Sequence, residues 1–164
     1  DTHMRNLLAS SLLLLLAACA GNPFDNFGVQ PGMSRQEVIS RAGTPNRVVK
    51  LPGGGERLQY SRMPFGQHAW MLDLDASGRM TSLRQVLNER DFNRIETGRW
   101  TRDDVEREYG RPATIDSVVS WKGPIYTYRW RNDADMLYFI YFDDRGVVQR
   151  AHPGMEFINA PDRD

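Results

Sequence analysis

Few side chains in this sequence could carry acid–base, nucleophilic or metal chemistry. Beyond the first residues it has two histidines, His68 and His152, and one cysteine, Cys19. Neither histidine has a second histidine four residues away or a carboxylate pair beside it, an arrangement that would indicate a metal site. We therefore predict that both are surface or loop histidines, and that the protein has no metal site and no catalytic residues.

Two further patterns resemble binding motifs but lack their defining residues. The run 53–55 is Gly-Gly-Gly, but no Lys-Ser or Lys-Thr follows it, so it indicates a hairpin loop and not a phosphate-binding loop. Asp133, Asp135, Asp143 and Asp144 flank expected turns, and their spacing does not match an EF-hand. We expect no cofactor other than a covalent lipid on Cys19, and no enzymatic activity.

The N-terminal segment has the organisation of an export signal. Residues 1–3 look like a cloning scar before Met4, Arg5 supplies a positive charge, and residues 7–18 form an apolar run. As a helix that run would be about 18 Å long, against roughly 30 Å of hydrocarbon in a bilayer. We predict a signal peptide at 4–18 and not a permanent transmembrane helix.

The apolar run ends in Leu-Ala-Ala-Cys at residues 16–19, which resembles the lipobox of bacterial lipoproteins. The resemblance implies cleavage before Cys19, a diacylglyceryl group on its thiol and a further acyl chain, such as palmitate, on its amine. Two or more acyl chains anchor a protein stably. Ala20 stands where an Asp retains enterobacterial lipoproteins in the inner membrane, so the resemblance implies the outer membrane. An ordinary cleaved signal with an incidental cysteine is the alternative.

Charge and cysteine content narrow the class of protein further. Without residues 1–18 the chain has 20 basic and 20 acidic side chains, since Asp1 and Arg5 leave the totals of 21 and 21. No polybasic patch is present, so we expect no nucleic-acid partner. Cys19 is the only cysteine, which excludes an internal disulfide. Residues 19–26 are predicted to be a lipidated tether, and 153–164 a flexible tail.

The sequence between these ends contains one pattern twice. Segment 34–45 returns as segment 101–112, each with a Ser or Thr, then an acid at the third following position, and a closing Gly-x-Pro. Segment 70–78, an apolar run closed by Asp and Gly, returns as segment 138–146. Several matches at nearly constant offset predict an internal duplication.

Each copy is predicted to contain two short helices followed by an antiparallel meander. The Ser or Thr and the acid have capping-box spacing, the Gly suits a left-handed C-terminal residue, and the Pro stops the helix. A shorter helix is expected before each, around Phe24 and Phe27 in the first copy and at 88–97 in the second. Strands are predicted at 47–51, 57–61, 69–75 and 80–86, and then at 114–121, 125–131, 136–143 and 147–150.

The predicted fold class is therefore α+β, with two tandem αα-β meander repeats at 24–87 and 88–152 whose helices pack on antiparallel sheets. A unit of about 60 residues buries only a marginal core by itself. We expect the two copies to pack together into one globule.

The motif of the first copy resembles the SmpA/OmlA, or BamE, family of small outer-membrane lipoproteins. The matching residues are Gly32, Met33, Ser34, Glu37, Val38, Gly43, Pro45, Tyr60, Leu72, Leu74, Asp75 and Gly78. The resemblance implies an αα-βββ fold and a non-enzymatic role beside the machine that inserts β-barrel proteins into the outer membrane. Two tandem copies are similar instead to the secreted β-lactamase inhibitor proteins, which grip an enzyme with a concave, aromatic-studded sheet. Most matched residues are capping and turn residues, so they indicate the fold better than the partner.

The strands of the second copy are apolar on both faces. Tyr138, Ile140 and Phe142 lie on one face of their strand, and Leu137, Phe139 and Tyr141 lie on the other. Such a sheet needs a cover on each side. Either the first copy or a loop supplies the second cover, or that face is an interface. In the second case the protein-binding residues are Phe139, Tyr141, Arg129, Arg131 and Trp121, a composition favoured at interface hot spots; Trp121 is equally a core candidate.

We therefore expect a lipid-anchored periplasmic protein-binding module in outer-membrane biogenesis or envelope maintenance. Its expected partner is an envelope protein, with the barrel-assembly machine as the one that the resemblance implies. One alternative is an inhibitor or sequestering protein that docks on a periplasmic enzyme. Another is a carrier of lipid or cell-wall fragments, which would require a pocket with convergent polar groups.

Overall fold

The computed structural model describes residues 27–156, which form three helices and eight strands. The helices are α1 (Arg35–Ala42), α2 (Glu89–Phe92) and α3 (Arg102–Tyr109). The strands are β1 (Arg47–Lys50), β2 (Glu56–Ser61), β3 (Ala69–Leu74), β4 (Met80–Gln85), β5 (Thr114–Asp116), β6 (Ile125–Arg131), β7 (Asp135–Phe142) and β8 (Val148–Met155). The predicted signal peptide, Cys19, the tether and Phe24 lie outside the described residues. In the described range, none of the helices has the length and apolar composition needed to cross a bilayer.

The strands form two antiparallel meanders, so the fold class is α+β. Strands β1 to β4 make one sheet in sequence order (sheet 1), and β5 to β8 make another (sheet 2). Both sheets carry a register shift next to their last hairpin, between Asp73 and Leu74 in sheet 1 and between Tyr141 and Phe142 in sheet 2. The two sheets therefore share strand order and the position of a β-bulge.

The hairpins after β3 and β7 close through the same side-chain interaction. Asp75 Oδ1 accepts hydrogen bonds from Ser77 Oγ at 2.7 Å and from the amide of Arg79 at 3.0 Å. Asp143 Oδ1 accepts from the amides of Arg145 and Val147, both at 2.9 Å. The hydrogen bond from Ser77 is the main cause of the lowered pKa of Asp75, and the hydrogen bond from the amide of Val147 is the main cause of the lowered pKa of Asp143. Both predicted hairpins are present.

Helices α1 and α3 begin and end as their spacing predicts. Ser34 and Glu37 form a reciprocal capping box at the start of α1, and Thr101 and Asp104 form one at the start of α3. The residues that end the two helices are Gly43 at φ 85° and Gly110, also at positive φ. A side chain is strained at that φ, so glycine is the residue that lets each chain turn away into its sheet.

Four predicted elements have different limits in the structure. Phe27, expected in a helix, lies in a turn, and the helix predicted at 88–97 is the single turn α2 capped by Asn88. The strand expected at 114–121 stops at Asp116, and a turned loop containing Trp121 follows. Strand β8 runs past its predicted end to Met155, so residues 153–155 are not part of a flexible tail. Pro153 is accommodated because β8 is an edge strand.

Sheet 1 is covered on both of its faces. On one face α1 packs through Val38 against Leu58 and Leu72. On the other face Met71 and Ala69 belong to the core of the second half of the chain, together with Val105 and Tyr109 of α3. Helix α3 therefore lies between the two sheets and is shared by both.

Polar side chains of sheet 1 hold the C-terminal end of α3. The amide nitrogen of Gln59 donates to the carbonyls of Glu106 at 2.8 Å and Arg107 at 3.1 Å, and Arg57 Nη1 donates to the latter at 3.1 Å. The last carbonyls of a helix lack partners within the helix, so the bonds to Arg107 satisfy a partly buried carbonyl, whereas the Glu106 carbonyl also accepts from the amide of Gly110 at 2.9 Å. A cation near this end also interacts favourably with the helix dipole.

Arg57 is itself held between two carboxylates. It pairs with Asp73 at 2.7 Å within sheet 1 and with Glu108 of α3 at 3.3 Å, and its side chain is 8% exposed. Burial opposes its charge, but Asp73 and Glu108 outweigh that effect and raise the pKa of Arg57. A second pair, Arg47 with Glu106 at 2.9 Å, links β1 to the same helix. We call this set of contacts around Arg57 and Gln59 the joint.

A tyrosine hydroxyl caps each long helix at the glycine that ends it. Tyr60 donates to the carbonyl of Gly43 at 2.8 Å, and its counterpart in the second half, Tyr128, donates to the carbonyl of Gly110 at 2.7 Å. The first pair is partly exposed and the second is buried. The same tyrosine hydrogen bond, which we call the tyrosine tie, thus connects each helix to its sheet. It is partly exposed in the first half and buried in the second.

Replacing these tyrosines by phenylalanine should have unequal effects on stability. Tyr128→Phe leaves the buried carbonyl of Gly110 without a partner, which costs about 1–3 kcal/mol, whereas Tyr60→Phe leaves a carbonyl that water can reach and costs less than about 1 kcal/mol. Urea unfolding of the two variants and the parent protein measures both values. Equal losses would show that the two ties do not differ in burial.

Candidate interaction surface

The two faces of sheet 2 have very different surroundings. One face, lined by Tyr126, Tyr128, Trp130, Ile140 and Phe142, is buried against α2 and α3. We call the opposite face the outer face of sheet 2. Cross-strand partners share a face, so the register places Ile125, Tyr141 and Arg150 in one row of it, and Thr127, Phe139 and His152 in the next.

Five side chains on or beside the outer face form an aromatic and arginine cluster, which we call the aromatic cluster: Trp121, Phe139, Tyr141, Arg150 and His152. The Tyr141 ring contacts Trp121 edge-on at 5.3 Å and stacks with His152 at 5.5 Å, while Phe139 lies 5.5 Å from His152. The Arg150 guanidinium lies 4.0 Å from the centroid of the Tyr141 ring and 5.4 Å from that of Trp121. Arg150 is exposed and the four rings are partly exposed.

The backbone beneath the cluster is shaped to accept Phe139. A Cβ at Gly154 would come within 2.7 Å of Phe139 Cε2, so the absence of a side chain lets the ring lie over β8. At the other end, the indole N–H of Trp121 donates to the carbonyl of Phe142 at 2.8 Å. Both ends of the cluster are thus fixed by the backbone of sheet 2.

Two loops border the outer face and leave the cluster between them. The loop 62–68 of the first half reaches one end of the face, where Arg129 donates to the carbonyl of Phe65 and Gln67 donates to Asp135 at 2.8 Å. The loop 117–124 lies at the other end and carries Trp121. Neither loop buries Phe139, Tyr141 or His152, so the expected covering of this face by the first copy or a loop is only partial.

The structure separates the five predicted binding residues into two groups. Trp121, Phe139 and Tyr141 belong to the aromatic cluster. Arg129 pairs with Glu156 at 3.0 Å and Arg131 pairs with Asp135 at 2.7 Å, both towards the other end of the sheet. Arg129 is therefore committed to Glu156 and the carbonyl of Phe65, whereas Arg131 makes one surface ion pair and its side chain is 59% exposed.

Sequence reasoning missed Arg150 and His152 as members of the cluster. The strand was expected to end at Arg150, which left His152 in a loop, and the bulge at Gln149 was not anticipated. In the structure, Arg150, His152 and Gly154 lie opposite Tyr141, Phe139 and Leu137. The alternation of these residues along β8 could have indicated the cluster only if the register of β8 had been known.

The equivalent face of sheet 1 is mostly polar, and its second and third strands are largely covered by α3. The register of sheet 1 gives a row of Arg57, Asp73 and Ser82 and a row of Gln59, Met71 and Arg84. Each residue in these two rows lies the same number of positions before its counterpart in the two rows on the outer face of sheet 2. Helix α3 lies on the sheet 1 rows through the joint. The outer face of sheet 2 has the same position in its own sheet but has no helix of residues 27–156 upon it.

A cleft of about 480 Å³ opens between the two halves of the chain. Its lining residues are Asn46, Arg47, Gln59, Ser61, Met63, Pro64, Gly110, Arg111, Pro112 and Ala113. Arg47 and Arg111 are the charged groups in this lining, and Arg47 is paired with Glu106. Gln59 is committed to the joint. The cleft therefore has few polar groups that are free to converge on a ligand.

Comparison with known proteins gives two structural neighbours. One is described as a putative osmotically inducible lipoprotein, OsmE; it is 31% identical, and the match covers 39% of this chain and 86% of that one, with a TM-score of 0.33. The other is a DUF4309 family protein, YjgB, from Bacillus subtilis subsp. subtilis str. 168; it is 12% identical, with 75% of this chain and 78% of that one covered and a TM-score of 0.33. No family model matches the sequence, and no curated protein is significantly similar to it.

A single methyl group should displace Phe139 without unfolding the sheet. In Gly154→Ala the new Cβ forces the ring off its present position, at a cost of roughly 0.5–1.5 kcal/mol for an off-rotamer side chain. The His152 ring protons, 5.5 Å from Phe139 between centroids, should change chemical shift in NMR spectra. Gly53→Ala is the control, because a Cβ there meets open space. Unchanged His152 signals would contradict the proposed role of Gly154.

Proposed function

We propose that the protein is a lipid-anchored, non-enzymatic binding module of the bacterial cell envelope that contacts a partner protein through the outer face of sheet 2. The observation that carries the proposal is the aromatic cluster: partly exposed rings and an exposed arginine on a sheet face that no helix of residues 27–156 covers. Aromatic and arginine side chains are enriched at the energetic centres of protein interfaces.

The lipid anchor rests on the N-terminal sequence. Leu-Ala-Ala-Cys at 16–19 follows a short apolar run, and Cys19 is the only thiol in the chain. A lone free thiol would be reactive in an oxidising compartment, and acylation removes it. The outer membrane, with the fold facing the periplasm, is the location that we propose because Ala20 and not Asp follows the cysteine.

We also infer that the two halves of the chain arose from one BamE-like αα-β unit. The support is the recurrence, at nearly constant offset, of the capping boxes, the terminal glycines, the tyrosine ties and the β-bulges. In the second half the leading helix is the single turn α2. Of the helix predicted around Phe24 and Phe27, Phe27 lies in a turn and Phe24 is outside the described residues. The duplication matters for function because it makes the two outer faces comparable.

A protein partner fits the outer face better than a small ligand does. The cluster lies along a strand-built surface and presents partly exposed rings and one exposed arginine. The cleft between the halves offers Arg111 as its one ionisable group without a carboxylate partner among the described residues. A carrier of lipid or cell-wall fragments is therefore not the function that we propose.

The first test concerns Cys19. Cells that express the full chain with labelled palmitate should yield a labelled, membrane-bound protein, and Cys19→Ser should remove both the label and the membrane association, because two acyl chains supply the anchor. Ala20→Ser is the matched control and should remain labelled. A Cys19→Ser protein that still fractionates with membranes would contradict the lipid anchor.

The second test maps the binding face in cells. The photo-crosslinking amino acid p-benzoylphenylalanine at position 139 should capture one defined envelope protein. The same group at Gln36, an exposed position on α1, should capture none, because α1 covers the far side of sheet 1. Tyr141→Ala in the position-139 protein should abolish the crosslink, since most of the energy of an interface lies in a few anchor residues.

The identity of the captured protein separates the two protein-binding hypotheses. A component of the barrel-assembly machine supports the role in outer-membrane biogenesis, and a soluble periplasmic enzyme whose activity falls on binding supports the inhibitor hypothesis. Capture from position 36 but not from position 139 would refute the proposed face.

A further inference from the structure

We propose that the outer face of sheet 2 receives a short amphipathic helix of the partner, which packs apolar side chains on Phe139 and Tyr141 and places a carboxylate at Arg150. This inference rests on the proposed function and adds the form and charge of what binds. It is drawn from the way in which the chain already fills the equivalent face of sheet 1.

The precedent inside the molecule is the packing of α3 on sheet 1. Gly110, which ends α3, stands over Met71 and Ser61, since a Cβ on it would lie 3.6 Å from the Met71 methyl group and 4.0 Å from Ser61 Cβ. Upstream in the helix, Glu106 and Glu108 face Arg47 and Arg57. In sheet 1, this face thus binds a helix whose carboxylates point at arginines of the sheet.

The register then identifies the matching positions on sheet 2. Met71 corresponds to Phe139, and Asp73 corresponds to Tyr141, with the same offset in both cases. Arg57 and Gln59, which hold the carbonyls of α3, correspond to Ile125 and Thr127. The centre of the face is therefore apolar in sheet 2 where it is ionic in sheet 1.

The arginine of the first row lies on a different strand in each sheet. The row containing Arg57, Asp73 and Ser82 in sheet 1 becomes Ile125, Tyr141 and Arg150 in sheet 2, so the arginine is on the last strand and not on the second. Within residues 27–156, no carboxylate forms an ion pair with Arg150, whose neighbours are the rings of Tyr141 and Trp121. An aromatic ring holds a guanidinium in place while leaving its edge N–H groups available to a bidentate acceptor.

These differences specify the helix that would fit. Apolar or aromatic residues at i and i+4 would rest on Phe139 and Tyr141, because side chains four apart share one face of a helix. An Asp or Glu on the side facing β8 would meet Arg150. A basic helix would be repelled, and an extended strand lying on the face would not reproduce the packing of α3.

Among residues 27–156, a second copy of this chain offers no such helix. The exposed side of α1 is polar and lacks apolar residues at i and i+4, and its one carboxylate, Glu37, is held in the capping box with Ser34. Helices α2 and α3 are committed to the core of the second half through Phe92, Val105 and Tyr109. The occupant that we propose is therefore a helix of a different protein.

The test is a selection of helices by the full lipidated chain in detergent micelles. A display library of two- to three-turn helices on a rigid helical scaffold is selected for binding, and binders that also bind the Phe139→Ala, Tyr141→Ala double variant are removed. The selected helices should carry apolar residues at i and i+4 and an Asp or Glu beside them. Enrichment of basic helices, or no enrichment over the double variant, would overturn the proposal.

Charge reversal then tests the predicted contact with Arg150. Arg150→Glu should weaken a selected acidic helix about tenfold or more, because a like-charge contact replaces an attractive one, and changing the acid of the helix to Arg should restore binding. Arg131→Glu, on the same face but outside the aromatic cluster, should leave affinity unchanged. Equal effects of the two substitutions would mean that general charge and not the Arg150 contact governs binding.

The outcomes also separate this inference from the proposed function. If position 139 captures a partner in cells while the selection yields no acidic helices, the outer face is a binding surface for something other than a helix. If sedimentation reveals dimers of the full chain that Tyr141→Ala dissociates, the occupant is a second copy, and the helix proposal is wrong.

Discussion

The arrangement of the two halves depends on how one helix end is satisfied. The carbonyls of Glu106 and Arg107, near the end of α3, are partly buried against sheet 1. Gln59 and Arg57 of sheet 1 donate to these carbonyls, and Arg57 keeps its charge because Asp73 and Glu108 flank it. A buried arginine with one carboxylate missing would be severely destabilising, so these groups stabilise one another only as a complete set. The joint therefore fixes one orientation of α3 on sheet 1.

The second half builds its core from aromatic rings with satisfied hydroxyl groups. Phe92 stacks on Tyr138 at 4.0 Å, and Tyr109 and Tyr128 meet edge-on beside them. Tyr109 donates to the carbonyl of Asp91 at 2.6 Å, and Tyr128 donates to that of Gly110. Burial raises the pKa of both tyrosines, so both stay protonated donors. A core held by rings and fixed hydroxyl bonds makes sheet 2 a rigid support for the residues on its other face.

Local chemistry made much of this fold predictable. Capping boxes, terminal glycines and Asp-x-x-Gly hairpins act over a few residues, so Ser34, Gly110 and Asp143 could be assigned from spacing alone. The two faces of β7 were also predictable, because side chains alternate along a strand. The strand limits at Asp116 and Met155 were not, since loop packing and edge pairing decide them.

Only some residues of the candidate site could be predicted from the sequence. Phe139 and Tyr141 were identified because a strand that is apolar on both faces is unusual. Arg129 was also selected, but its pairing with Glu156 depends on where the chain goes after β8. Arg150 joins the cluster only through the bulge that brings it opposite Tyr141. Contacts between residues far apart in sequence thus determined which arginine is available.

Under the duplication proposed above, the ionic lining of sheet 1 and the aromatic lining of sheet 2 would distinguish an interior unit from an end unit. In repeat proteins, identical units can stack indefinitely, and the end units must differ from the interior ones. Here the outer face of sheet 2 has Ile125 and Thr127 where sheet 1 has the arginine and glutamine that hold α3, so a further unit could not repeat the contacts of the joint. Head-to-tail stacking through a second joint is therefore disfavoured at this face, because the residues that form the joint occur once in the described chain.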